Sequence, residues 1–512
     1  MKSERLFRIL GLVDGDLILE AGAAAPAVRR KRSWKAPMAA AACGALVCGL
    51  ALARWGVGNL HTGAGAGGSG HDGGTAFMSY GGPVFPLALL EENTDLTAER
   101  TVTWDFAPTS YPDGEPRQWG ASVTDAYTLS NTTDEDITVN ALYPFTGSLQ
   151  DLAERMPAVT VDGKEIAPVL YAGPYSGGFQ SASPDGSDTL NLSYLDSWED
   201  YEVLLSDGRY RDQALRDYPV LDMPVTVYRF TDFAAPHEQY QAATQAVTFS
   251  IIESETTVFT YGFNGYESNS EEGWERHSYF VPDGIRGESD LKLLIILGKD
   301  PENYTLQGYR DGGCGEGEEI EGVSCTVIRR ESTLDEVLDE ICRYDSERYD
   351  SLRSEEEHGA PASFSLFRGA VGELLADMGP LPGNDCPDRY SIGRLDDMVS
   401  EVRTMDRVLY LQFPITVPAG GNISVSASLR KAPSHDFYCS GSENTGIQGY
   451  DMVTTLGSGL RFTRQEAVLV NGEAVEIVRQ NFGFDPANGV SRVELDAGQA
   501  HYYLEIRTRE EN

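Results

Sequence analysis

The chain has 512 residues, 41% of them hydrophobic and 10% aromatic, which excludes a disordered polymer and leaves room for two globular units. Asp and Glu number 79 against 40 Lys and Arg, a formal charge of -39. A surface this negative repels a phosphate backbone, so nucleic acid is not an expected partner, and the acid excess reads first as a solvated exterior.

In residues 1 to 21, Leu6, Ile9, Leu10 and Val13 recur at helical spacing. Asp14-Gly15-Asp16 then breaks the run before Leu17, Ile18 and Ala21. A helical hairpin this short is expected to fold only on a partner or a membrane surface. Next come Arg29, Arg30, Lys31, Arg32 and Lys35, with Trp34 among them, then an uncharged run from Ala36 to Ala53, then Trp55. As a helix that run rises about 27 Å at ~1.5 Å per residue, close to the roughly 30 Å hydrocarbon core. The basic cluster should stay in the cytoplasm and the tryptophans should sit at the two interfaces. Residues 1–35 are therefore expected to be a cytoplasmic tail and 36–55 a transmembrane helix. Ala51-Leu52-Ala53 supports a competing reading as a signal-peptidase site, against which stands the length of the preceding tail.

The order of an apolar turn, Val13-Asp14-Gly15-Asp16, the pair Leu17-Ile18 and Glu20-Ala21, followed by a basic run and one membrane helix, resembles the cytoplasmic segments of single-pass anti-sigma-factor-like envelope proteins of bacteria. The resemblance covers about the first 60 residues. It implies a cell-membrane protein with its N-terminus inside, its C-terminal region extracytoplasmic, and a cytoplasmic regulator held by residues 1–35. The zinc-binding variety of such tails is absent, since no His or Cys precedes Cys43. A plain membrane-anchoring tail is the alternative.

Glycine dominates residues 56–83, which read as a flexible linker. A β-rich extracytoplasmic domain is expected over 84–330. Thr101 to Phe106 alternates, and Asp125 to Leu129 leads through a polar turn into Ile137 to Leu142. Val159 to Ile166 carries Asp162-Gly163 between alternating residues, the preferred tight hairpin. Strands are also predicted at Val225 to Phe230, Ala246 to Ile252, Thr256 to Phe263 and Leu291 to Leu297. Ser197 should cap a helix bearing Trp198, Tyr201, Leu204 and Leu205.

A helical insert is predicted over 331–406. Thr333 and Glu336 form a capping box ahead of Leu334, Val337, Leu338 and Ile341. Two further stripes run from Phe364 to Met378, closed by Gly379-Pro380, and from Leu395 to Val402. A C-terminal β-rich domain follows over 407–512, with strands at Val408 to Phe413, Ile423 to Leu429, Val493 to Leu495 and Tyr502 to Ile506. There Asn471-Gly472 repeats the tight-hairpin signal. The fold expected is mainly β with a helical insert: two immunoglobulin-like β-sandwich units following one N-terminal transmembrane helix.

Chemistry-bearing patterns are sparse. None of the seven histidines stands at metal-ligand spacing, and GxSxG, P-loop and dinucleotide fingerprints are absent, so neither a cofactor nor a catalytic residue is assigned. The acidic runs Asp185 to Asp188 and Glu316 to Glu321 lack calcium-loop order and read as solvated turns. Cys314 and Cys325 could close a short loop through a disulfide, with ordinary thiols as the alternative. The richest aromatic stretch holds Tyr261, Phe263, Tyr266 and Trp274, candidates for a ligand platform that stacks on sugar rings, or else buried sheet aromatics. The function expected is a membrane-anchored extracytoplasmic sensory or interaction protein binding an envelope glycan or protein. A cell-surface carbohydrate or cell-wall binding module, or a divergent hydrolase, is the alternative.

Overall fold

The computed structural model describes residues 80–509, with breaks at 92, 111–115, 118–119, 176–196, 237–242, 252–254, 283–288, 302, 353–361, 436–443 and 458. The tail and apolar segment, with Arg29, Arg30, Lys31, Arg32, Trp34, Lys35 and Trp55, lie outside the described residues, as do most of the Gly-rich linker and the acidic run Asp185 to Asp188. Among the described residues no helix is long and apolar enough to cross a membrane. The fold is mainly β, with several sheets and few helices.

Two compact units are present. One, called inner because its segments are nested in the sequence of the other, comprises residues 219–350 and 371–401; the other, called outer for the same reason of chain order, takes the described residues before 219, together with 351–370 and 402–509. The β-rich segments at either end of the chain interleave within the outer unit: the strand Leu96–Asp105 runs parallel to Arg461–Val470, and Ala121–Asn131 pairs with Asn422–Lys431.

In the inner unit a four-stranded sheet has the order Thr256–Tyr261, Lys292–Gly298, Pro224–Ala234, Ser324–Thr333. A five-stranded sheet has the order Gly265–Asn269, Trp274–Phe280, Thr244–Ser250, Tyr304–Tyr309, Glu319–Ile320. Both sheets contribute to one core, through Tyr228, Phe230, Leu294 and Ile296 from the first and Val247, Phe249 and Tyr279 from the second. The strand Lys292–Gly298 is buried on both of its faces, which accounts for its unbroken apolar run. On the side of this sheet away from that core, Tyr261 packs edge-on against Tyr344 of the helix Leu334–Leu352, and at the sheet's edge Thr260 N donates to Gly393 O.

The outer unit is built on a seven-stranded sheet whose centre is Arg461–Val470, Leu96–Asp105, Ala121–Asn131 and Asn422–Lys431. Val102, Trp104, Val123 and Leu469 from this sheet share a core with Tyr450, Met452, Leu504 and Ile506 from a four-stranded sheet that includes Gln448–Val453 and His501–Thr508. A second four-stranded sheet contains Ala88–Leu89, Ile137–Gly147, Arg407–Val417 and Val169–Ala172.

Several local signals act as their chemistry requires. Ser197 caps the helix Trp198–Leu205 by accepting from Asp200 N. Thr333 Oγ1 accepts from Glu336 N while Glu336 Oε2 accepts from Thr333 N, closing the capping box. Asp162 and Gly163 both take positive φ in the hairpin between Ala158–Val161 and Lys164–Glu165. Asn471-Gly472 does not make a hairpin. Asn471 is left-handed, but Gly472 starts a short 3-10 turn that carries the chain from the seven-stranded sheet into the strand Val475–Gln480 of another.

Candidate functional site

The strands Gly265–Asn269 and Trp274–Phe280 hold two of the four aromatic candidates, Tyr266 and Trp274, but strand alternation separates them. Trp274, Arg276 and Ser278 pair with Ser250, Thr248 and Ala246 on one face; Glu275, His277 and Tyr279 pair with Phe249, Val247 and Gln245 on the other. The second face is the core. Phe263 is buried there, 5.0 Å from Tyr279 and 5.7 Å from Phe230 by ring centroids. Tyr261 is buried in the neighbouring sheet. Tyr266 pairs with His277 on the core side but lies at the edge strand and is 39% exposed. Trp274 points the opposite way, so the four rings do not form one platform.

What gathers around Trp274 is a different constellation. The Arg276 guanidinium lies 5.5 Å from the Trp274 ring centroid and 5.9 Å from that of Tyr309. Its Nη1 donates to Glu267 Oε2 at 3.0 Å and to Cys314 O at 3.2 Å. Trp274 Nε1 donates to Glu272 Oε2 at 3.0 Å. The outer face of the five-stranded sheet thus presents a half-buried cation held by two π faces and rimmed by carboxylates.

Cys314 and Cys325 are both free thiols, so the disulfide expectation is corrected. Cys314 packs on Ala246 and Tyr309, on the outer face of the five-stranded sheet, whereas Cys325 packs into the core on the opposite face. A sheet between two sulfurs prevents the short contact that a disulfide needs. Burial raises the pKa of both thiols. The acidic run Glu316 to Glu321 lies on the surface, and among the described residues no three His, Cys, Asp or Glu side chains come together as a metal would need.

The outer unit holds a polar centre that pattern reading missed. Arg100 and Asp125 form a bidentate pair at 2.9 and 2.8 Å, with both side chains at 0% exposure. Arg100 also donates to Val453 O at 2.6 Å and Phe85 O at 3.2 Å, and Asp125 accepts from Tyr127 and Tyr143 hydroxyls. Burial raises the pKa of both tyrosines. Nearby, Lys431 Nζ donates to Gly81 O and Thr146 Oγ1. Burial pushes its pKa down to about 8, against the pull of Asp451. Asp451 Oδ2 accepts from Tyr80 and lies 2.9 Å from His501 Nε2, while its Oδ1 is buried with no hydrogen-bond partner among the described residues. The Trp198 ring stacks on His501 at 5.8 Å.

One sequence signal does mark this centre. Arg100 and Asp125 stand in phase with Leu96, Ala98, Val102 and Trp104, and with Val123, Tyr127 and Leu129, on the buried faces of alternating strands. A charge at a core-phase position demands a buried partner.

No protein-family model matches the chain, and no curated protein matches it.

Proposed function

We propose that the chain is a single-pass cell-membrane protein with a cytoplasmic N-terminus, whose β units form an extracytoplasmic sensory and interaction region. The observation that carries this reading is the uncharged run from Ala36 to Ala53 between a cluster of five cations and Trp55, with a β-rich fold among the described residues from Tyr80 onward. Two sheets share a core in each unit, which supports the finer reading of both as immunoglobulin-like β-sandwiches. The ligand surface is the outer face around Trp274, Arg276 and Tyr309. Arg276 supplies a fixed cation, and Trp274 supplies a half-buried ring of the kind that dominates protein recognition. The tail, residues 1–35, contacts a cytoplasmic regulator of the sigma-factor type.

Topology is tested on the full chain carrying an epitope at each end. External protease on spheroplasts should remove the C-terminal epitope and spare the N-terminal one. Recovery of the intact chain in the soluble cytosol would sink the reading. A second reading, carbohydrate or cell-wall binding, is favoured by Trp274 and Tyr309 standing beside the hydrogen-bonding groups of Glu267 and Thr248. A glycan array probed with the full chain and with Trp274→Ala decides it: binding lost in the variant supports a sugar site, and equal signals reject one.

A further inference from the structure

We propose that residues 80–90 are a latch by which the chain preceding Tyr80 grips the interior of the outer unit, and that the latch opens in two stages from its Tyr80 end. Its use in signalling rests on the membrane anchoring proposed above, which would supply the pull; its geometry stands by itself.

Residues 81–89 are buried without interruption, yet only Ala88–Leu89 belongs to a strand. Buried backbone outside a ladder must find its partners elsewhere. Here side chains supply many of them, in two groups. At the Tyr80 end, Gly81 O accepts from Lys431 and Thr146, Gly81 N donates to Ser434 Oγ at 2.9 Å, and the Tyr80 hydroxyl donates to Asp451. Gly82 has φ +70, and a Cβ there would stand 2.4 Å from Thr146 Cγ2, so only glycine fits this passage.

Val84 closes this first group, its N donating to Asp451 O at 2.9 Å and its O accepting from Val453 N at 3.1 Å; the second group lies deeper in. Phe85 O accepts from Arg100, and Leu87 N donates to the Tyr127 hydroxyl at 2.8 Å. Val84 belongs to one apolar cluster and Phe85 to another, with Trp198, Tyr201 and Tyr410. The two grips differ in kind. The first is a set of polar bonds close to His501 and Arg155, whose side chains are 23% and 13% exposed. The second is a fully buried ion pair with apolar packing on either side. A pull arriving from the N-terminal side loads the first grip alone until it parts, and only then reaches the ion pair that the rest of the core depends on.

Hydrogen exchange read by mass spectrometry on the full chain in detergent tests the order. Lys431→Met should speed exchange over 80–84 at least about tenfold and leave the strand Ala121–Asn131 at its wild-type rate. Arg100→Met should speed exchange over 85–90 and that strand together. The proposal fails if Lys431→Met leaves 80–84 unchanged, or if it accelerates 80–90 and Ala121–Asn131 alike. Should Lys431→Met not fold, Thr146→Val and Ser434→Ala each remove one uncharged partner of Gly81 and carry the same test, with about threefold faster exchange over 80–84. Expected exchange from a chain found in the soluble fraction would keep the latch and remove its membrane use.

Discussion

The two units solve the same packing problem with different chemistry. In the inner unit the facing sheets meet through Tyr228, Phe230, Phe249, Tyr279, Leu294 and Ile296, and Lys292 reaches the Gly262 carbonyl. In the outer unit the strands Leu96–Asp105 and Ala121–Asn131 place Arg100 and Asp125 among their buried apolar residues, and Lys431, Asp451 and Tyr80 stand close by. The difference follows from what each core must hold. Apolar contact is non-directional and suffices to join two sheets that already carry their own ladders. The segment 80–90 has almost no ladder, and fixing it in one position takes directional bonds to named carbonyls and amides.

Breaking the ion pair should give the largest effect. Arg100→Met leaves Asp125 buried and uncompensated and should cost the outer unit about 3 to 5 kcal/mol in denaturant unfolding. Adding Asp125→Leu should recover part of that and not all, because Val453 O and Phe85 O still lack their donor. The inner-unit counterpart is Phe230→Ala, also expected to cost roughly 3 to 5 kcal/mol, here through cavity formation alone and with no change in pH dependence.

The comparison sharpens with pH. Burial pushes Lys431 down to about 8 in the folded outer unit, below its ordinary 10.5. Between these values the unfolded chain binds more protons, so this lysine's contribution makes stability rise with pH, by on the order of 3 kcal/mol across the window. In the inner unit Asp396 accepts from Gly262 N, yet burial raises its carboxyl to about 6 from 3.8. There the folded state holds the proton more tightly, so stability falls as pH rises from about 4 to 6, again by on the order of 3 kcal/mol. Lys431→Met should flatten the alkaline limb and Asp396→Asn the acid one, each without the other. Unfolding curves that keep both limbs in both variants would overturn the assignment.

The smallest expected effect is at the helix caps. Ser197→Ala in the outer unit and Thr333→Ala in the inner unit should each cost about 1 kcal/mol. A much larger loss at either would mean that the cap supports more than its own helix.

Local features were legible wherever the chemistry was local. The cap at Ser197, the capping box at Thr333 and Glu336, the hairpin at Asp162-Gly163 and most strands follow from side chains acting on backbone a few residues away. The Asn471-Gly472 signal failed because a turn dipeptide specifies a local bend and not the partner of the strand that follows. Tyr261, Phe263, Tyr266 and Trp274 are close in sequence, but a period of two sends Trp274 to the opposite face from Tyr266. Cys314 and Cys325 were divided by the same sheet.

By itself the sequence determined the β-rich character of the chain, its helical stretch and its principal caps, since each arises from periodicity or from a bond spanning a few residues. Only the tertiary structure decided that Leu96–Asp105 lies beside Arg461–Val470, that Arg100 meets Asp125, and that the segment entering at Tyr80 is held by Lys431 and Asp451. Those partners lie 25 to more than 300 residues apart along the chain, and pairing over such distances is settled by which apolar faces close together, a property of the whole chain.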